Sequence, residues 1–125
     1  MYEVHVAARF EAAHRLVGDF GPARRMHGHT YRMEVILRGQ RLKEDGTLYD
    51  LGDLRGAVEG LAASLDYRDL GEVAGLSEVN TTAEAVADFC WEQLAPRLRD
   101  RGLDSLVVRI WESPDAYAAR EDALA

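Results

Sequence analysis

Apolar and polar side chains alternate in two runs within the N-terminal third of the chain. In residues 2–16 the even positions are mostly apolar, and in residues 26–38 the odd positions are mostly apolar. A period of two is typical of a strand with one buried face. Gly18, Gly21 and Pro22 separate the two runs. We therefore expect two antiparallel strands, with the end of the first lying beside the start of the second.

The apolar spacing changes to three and four residues in the middle of the chain, which predicts two amphipathic helices. The first follows Asp50, a good N-cap residue, and the second opens at Thr81-Thr82-Ala83-Glu84, which has the pattern of a capping box. Strand alternation returns over residues 103–112 and again over residues 115–121. The order strand, strand, helix, helix, strand, strand indicates an α+β fold, with both helices on one face of a four-stranded antiparallel sheet.

Composition narrows the class of protein. A chain of 125 residues is expected to form a single domain over 1–125, and 47% hydrophobic residues without a long apolar run exclude a disordered chain and a transmembrane helix. A net charge of -7 disfavours nucleic acid and anionic membranes as partners. The single cysteine, Cys90, excludes an intramolecular disulfide and leaves nitrogen and oxygen as metal ligands. Without a secretory pattern at its start, the protein is expected to be cytoplasmic.

Three histidines fall on the apolar faces of the two N-terminal strands. His14 lies near the end of the first strand, and His27 and His29 lie at the start of the second, so antiparallel pairing brings the three together. Neutral imidazole is the commonest metal ligand, and three imidazoles with an open fourth position are typical of catalytic zinc. The pattern therefore predicts a zinc site. His5 falls on the opposite face, where we expect it to be solvated.

Glu112 continues the apolar series of Leu106, Val108 and Ile110 at the end of the third predicted strand. A buried, ionised carboxylate needs a partner, because its desolvation is costly. Two interpretations stay open from the residues alone. The carboxylate binds the paired N–H donors of a heterocyclic ligand, or it pairs with an arginine or is simply exposed at the strand end.

Several short motifs also occur in order along most of the chain. They are Phe10-Glu11-Ala12-Ala13-His14, His27-Gly28-His29-Thr30-Tyr31, Gly46-Thr47-Leu48-Tyr49-Asp50-Leu51, Leu65-Asp66, Asn80-Thr81-Thr82-Ala83-Glu84 and Glu112. As an ordered set they resemble the 6-pyruvoyltetrahydropterin synthase and 6-carboxytetrahydropterin synthase family. The resemblance implies a tunnelling fold, in which subunits join their sheets into a barrel and commonly form homo-hexamers.

The resemblance also implies a reaction and a set of site residues. Members of this family are lyases that act on 7,8-dihydroneopterin triphosphate, eliminating triphosphate or cleaving the side chain. The implied residues are the zinc ligands His14, His27 and His29, the pterin contacts Glu112 and Thr82, and the phosphate contacts Arg24 and Arg25.

The chain departs from the family pattern at two catalytic positions. Ala23 stands four residues before His27, where the family has a cysteine, and Tyr67 follows Asp66, where the family has a histidine. Alanine carries no exchangeable proton, and tyrosine, with a pKa of about 10, is a weak base at neutral pH. Asp66, Tyr67 and a zinc-bound hydroxide are then the candidates for proton transfer. The alternative is a homologue of altered activity, or one that binds a pterin or a purine-like molecule without turnover.

A third interpretation comes from another class of protein. Gly21, His27-Gly28-His29, Glu34 and Gly39 approximate the first motif of the cupin metalloproteins. On a regular strand, however, Glu34 faces away from the histidines, and the two predicted helices are not typical of an all-β cupin.

Overall fold

The two N-terminal runs form a long antiparallel pair. Strand β1 spans Tyr2–His14 and strand β2 spans His27–Gly39. Their register places Tyr2 opposite Gly39 and His14 opposite His27. A computed structural model describes all residues from 1 to 125. The predicted faces are confirmed, because the buried positions of β1 alternate as the sequence pattern requires.

Helix α1 spans Leu51–Leu65 and helix α2 spans Ala83–Leu98. Asp50 caps α1, because its side chain accepts a hydrogen bond from the Gly52 backbone N–H at 2.8 Å. The cap of α2 differs from the predicted one by a single residue. Thr82 is the N-cap, and its hydroxyl accepts a hydrogen bond from the Ala85 N–H at 3.1 Å.

The sheet has one strand more than the sequence pattern predicts. Strands β4, Ser105–Ser113, and β5, Ala116–Ala123, complete its antiparallel part. A two-residue strand, β3 at Arg68–Asp69, pairs in parallel with β1 at Ala12 and Ala13. The spatial order is therefore β3-β1-β2-β4-β5, and the sheet is mixed rather than wholly antiparallel. A strand this short contains no alternation by which sequence analysis could detect it.

Both helices cover the same face of the sheet. Helix α1 packs mainly on β1, and α2 packs on β4 and β5. The apolar side chains of the sheet that form this core are Val6, Phe10, Tyr31, Met33, Val35, Leu37, Leu106, Val108 and Ile110. Cys90 is fully buried on α2, and burial raises the pKa of its thiol, so it is not a nucleophile. Neither helix has the length and apolar character needed to cross a lipid bilayer.

The opposite face of the sheet is polar. Glu34 lies on it, as predicted, but is only 9% exposed. Its carboxylate accepts hydrogen bonds from Trp111 Nε1 at 2.9 Å and Arg109 at 3.4 Å, and His5 Nε2 lies 2.9 Å away. Burial opposes the ionisation of Glu34, but these interactions outweigh it and lower its pKa. Since Glu34 faces away from the histidines and two helices of 15 and 16 residues cover the sheet, the cupin interpretation is wrong.

Candidate metal and pterin site

Three imidazole rings meet where the ends of β1 and β2 lie side by side. His14 is directly opposite His27, and His29 is the next residue on the same face of β2. The ring centroids are 4.5 Å apart for His14 and His27, 4.9 Å for His27 and His29, and 5.1 Å for His14 and His29. One nitrogen from each ring lies within 4.8 Å of the other two. The structure thus brings together the three predicted ligands.

Main-chain carbonyls orient two of these rings. Nδ1 of His14 lies 2.7 Å from the carbonyl oxygen of Thr81, and Nδ1 of His27 lies 2.7 Å from that of Arg25. A carbonyl oxygen only accepts hydrogen bonds, so in the neutral form of each ring the proton is on Nδ1. The Nε2 atoms are then left with a free lone pair, which is the form of imidazole that binds a metal ion.

The donor set fits zinc. Nε2 of His14 and Nε2 of His29 are 3.2 Å apart. Two nitrogen ligands of a tetrahedral zinc ion, each about 2.0–2.1 Å from the metal, are separated by about 3.3 Å. Three imidazoles would also leave a fourth coordination position for water or substrate, as in catalytic zinc sites.

The environment keeps His29 in the same neutral form. Burial lowers the pKa of His29, and the nearby His14 and His27 act in the same direction, whereas Glu112 opposes the shift. Because a protonated ring has no free lone pair, the lowered pKa widens the pH range in which His29 is able to bind a metal ion.

Glu112 lies beside the histidines near the end of β4. Met33 is opposite Ile110 in the register, so Glu112 follows on the same face and comes next to Tyr31 of β2. The residue is partly buried, and no arginine pairs with it. Burial raises the pKa of the Tyr31 hydroxyl, and the Glu112 carboxylate adds to this effect. Of the interpretations of Glu112 that the sequence leaves open, the ion pair with an arginine is absent from the structure.

The two side-chain candidates for proton transfer occupy different environments. The Asp66 carboxylate accepts a hydrogen bond from the Glu11 backbone N–H at 2.8 Å and so ties the end of α1 to β1. Tyr67 has a φ of 56° and is 85% exposed. Together with His29 and Arg68, Tyr67 lines a cleft of about 480 Å³. This volume is within the range of small-molecule sites, and Asp66 is not among the residues that line the cleft.

The remaining predicted contacts lie in segments that adjoin the histidines. Arg24 lies in an exposed 3-10 turn, Gly21–Arg24, and Arg25 follows it directly. Ala23 belongs to the same turn, two residues before Arg25. Thr82 caps α2 and adjoins Thr81, whose carbonyl holds His14.

Sequence reasoning missed two contributors to this site. The capping-box pattern places Thr81 at a helix start, and in the structure its carbonyl also orients His14 across 67 residues of chain. The alternation of residues 26–38 places Tyr31 on the apolar face of β2, and in the structure its ring also packs against His29 with a centroid distance of 5.2 Å. No local pattern marks either contact, because each depends on a partner that is distant in the sequence or on the packing of the folded core.

The architecture defines the class of protein to which the chain belongs. The structure of Caenorhabditis elegans 6-pyruvoyl tetrahydropterin synthase matches it with a TM-score of 0.83 at 26% sequence identity, covering 98% of this chain and 96% of that chain. The chain is therefore an α+β protein with the tunnelling fold.

Sequence comparison gives the family. Residues 3–123 match the sequence model of a protein family that is described as 6-pyruvoyl tetrahydropterin synthase. A 6-carboxy-5,6,7,8-tetrahydropterin synthase from Synechocystis sp. is 33% identical over 99 residues, covering 75% of each chain. A dihydroneopterin monophosphate aldolase from Pyrococcus furiosus is 31% identical over 91 residues, covering 73% of each chain. This protein belongs to the 6-pyruvoyl tetrahydropterin synthase family.

Proposed function

We propose that this protein is a zinc-dependent pterin lyase that acts on 7,8-dihydroneopterin triphosphate or a closely related pterin. The observation that carries the proposal is the convergence of three histidine nitrogens beside the unpaired carboxylate of Glu112. A bound zinc ion would supply Lewis-acid chemistry, polarising side-chain oxygens and acidifying the neighbouring C–H bond. The His14, His27 and His29 rings would hold the ion, with two of them fixed in the required tautomer.

Glu112 is suited to anchor the pterin ring. A carboxylate accepts two parallel N–H bonds, and the 2-amino-4-oxo edge of a pterin presents two N–H donors side by side. Because no basic side chain neutralises Glu112, its acceptor capacity is available to a ligand. Thr82, one residue from the Thr81 carbonyl that holds His14, would lie near the ring. The exposed guanidinium groups of Arg24 and Arg25 would receive the phosphates.

Tyr67 is the better placed of the two side chains proposed to move protons. It lines the cleft with His29, whereas Asp66 already accepts a backbone hydrogen bond. With an ordinary pKa of about 10, a phenol keeps its proton at neutral pH and therefore donates a proton more readily than it removes one. The second candidate function, pterin binding without turnover, is favoured by Ala23, whose methyl side chain supplies no proton.

Incubation of the zinc-loaded protein with 7,8-dihydroneopterin triphosphate distinguishes the two candidates. The lyase proposal predicts a pterin product and the loss of product formation in His29→Ala, while His5→Ala, on the opposite face, keeps its activity. Binding of the pterin without any product would instead support the non-catalytic function. Ala23→Cys restores the thiol of the family pattern, and we expect it to increase turnover if proton transfer limits the rate.

The role of Glu112 needs a separate test. Removing a charged hydrogen-bond partner costs about 1.5–3 kcal/mol, so Glu112→Gln should weaken 7,8-dihydroneopterin binding roughly 10- to 100-fold. Binding of inorganic triphosphate should not change, because Glu112 is proposed to contact the ring alone. Equal losses for both molecules would contradict the anchoring role.

We also propose that the protein is a homo-oligomer, with a hexamer expected from the family. The outer edge of β5 has no partner strand, and β3 covers only Ala12 and Ala13 on the outer edge of β1. Unpaired edges of this length are able to pair with the sheet of another subunit. Light scattering coupled to size-exclusion chromatography measures the mass in solution, and a monomeric mass at micromolar concentration would contradict this proposal.

A further inference from the structure

The hydroxyl of Tyr31 has no hydrogen-bond partner among the atoms of the protein. Tyr31 is 0% exposed, and its hydroxyl is the only buried side-chain nitrogen or oxygen that lacks a partner. Buried polar groups are nearly always hydrogen-bonded, because leaving one unsatisfied destabilises the fold. An isolated exception is therefore informative.

Tyr31 is a neighbour of both the histidine cluster and Glu112. Its ring stacks on Phe10, with centroids 4.9 Å apart, and meets the edges of His29 at 5.2 Å and His14 at 6.0 Å. The register of β2 and β4, continued by one pair beyond Arg32 and Trp111, brings Glu112 next to it on the same face. The unpaired hydroxyl thus belongs to a side chain that the proposed metal ligands and the proposed ring anchor surround.

Packing alone does not explain the hydroxyl. A phenylalanine would stack on Phe10 and fill nearly the same volume without an unpaired polar atom. Tyr49 provides a contrast within the same chain, because its buried side chain donates a hydrogen bond to Asp53. The Tyr49 hydroxyl is satisfied by the fold, whereas the Tyr31 hydroxyl is not.

We propose that the Tyr31 hydroxyl is a ligand-binding group that donates a hydrogen bond to an oxygen of the pterin side chain when the pterin is bound. The proposal rests on the function proposed above and adds a contact to the same site. An oxygen acceptor fits, because a phenol at neutral pH carries a proton to donate. Because Tyr31 adjoins both the histidines and Glu112, its hydroxyl is suited to the part of the ligand that joins the ring to the metal-binding end.

The test compares Tyr31→Phe with Tyr49→Phe in two measurements. For Tyr31→Phe, we expect the Tm of the ligand-free protein to be unchanged or higher, because the variant removes an unsatisfied polar atom. The affinity of the zinc-loaded variant for 7,8-dihydroneopterin should fall roughly 3- to 10-fold, as loss of one neutral hydrogen bond predicts. Tyr49→Phe should show the reverse, with a lower Tm and an unchanged affinity.

The outcomes separate this inference from the proposed function. If wild-type protein binds 7,8-dihydroneopterin and Tyr31→Phe binds it equally well, the Tyr31 assignment is wrong and the proposed function stands. A lower Tm in Tyr31→Phe with unchanged affinity would show that the hydroxyl serves the fold, which also overturns the assignment. If the wild-type protein does not bind the pterin at all, both proposals fail.

Discussion

Zinc is expected to stabilise the folded protein through the three histidines. The folded state holds their nitrogens within 4.8 Å, whereas the unfolded chain does not keep His14 near His27 and His29. The ion therefore binds the folded state preferentially. At a free zinc concentration about 100 times the Kd, linkage gives a gain of about 2.7 kcal/mol in the free energy of unfolding.

The change in Tm that corresponds to this gain follows from the length of the chain. For 125 residues, an unfolding entropy of about 2.1 cal/mol/K per residue amounts to about 0.26 kcal/mol/K. The Tm should then rise by about 10 °C when zinc is added to chelator-treated protein. His27→Ala removes one ligand, and a roughly 100-fold loss of affinity leaves about 0.4 kcal/mol, or a rise of about 2 °C.

Calorimetric melts with and without zinc measure both shifts, and elemental analysis gives the metal content per chain. His27 is a suitable site for substitution, because it is only partly buried and its removal spares the core. His5→Ala is the matched control, since His5 faces Glu34 on the opposite side of the sheet and should keep the full shift. A His27→Ala protein that retains one zinc per chain and the full shift would refute the ligand assignment.

The remaining predictions concern the stability of the folded protein. Because the pKa of His29 is lowered from 6.5, the unfolded chain binds a proton more readily than the folded chain. The free energy of unfolding of the chelator-treated protein should therefore be highest above about pH 6.5, and it should fall as the pH drops through the pKa of His29 in the folded protein. Urea unfolding of the wild-type protein and of His29→Gln from about pH 5 to pH 8 tests this. The same pH dependence of stability in both proteins would contradict it. Asp100 has a φ of 62° just after the C-cap of α2, so Asp100→Gly should gain about 1 kcal/mol and raise the Tm by about 4 °C. Thr82→Ala removes the N-cap hydroxyl of α2 and should cost about 1 kcal/mol in the same melts, whereas no loss would show that the cap is dispensable.

The fold was largely predictable, because its elements leave strong local signals. The alternation of β1 and β2 set which side chains face the helices, and Asp50 marked the start of α1. The prediction was wrong where the signal was short or ambiguous. The two residues of β3 show no period, and two adjacent threonines at 81 and 82 offered equivalent N-cap hydroxyls.

What the sequence determined by itself is the side on which each histidine lies, since strand geometry fixes the direction of every second side chain. That rule places His14, His27 and His29 on one face of the sheet. Only the tertiary structure decided which atoms complete the site. The Thr81 carbonyl on His14, the absence of an arginine at Glu112 and the unpaired hydroxyl of Tyr31 depend on how distant segments pack. Such contacts arise from three-dimensional register and burial, which no local pattern encodes.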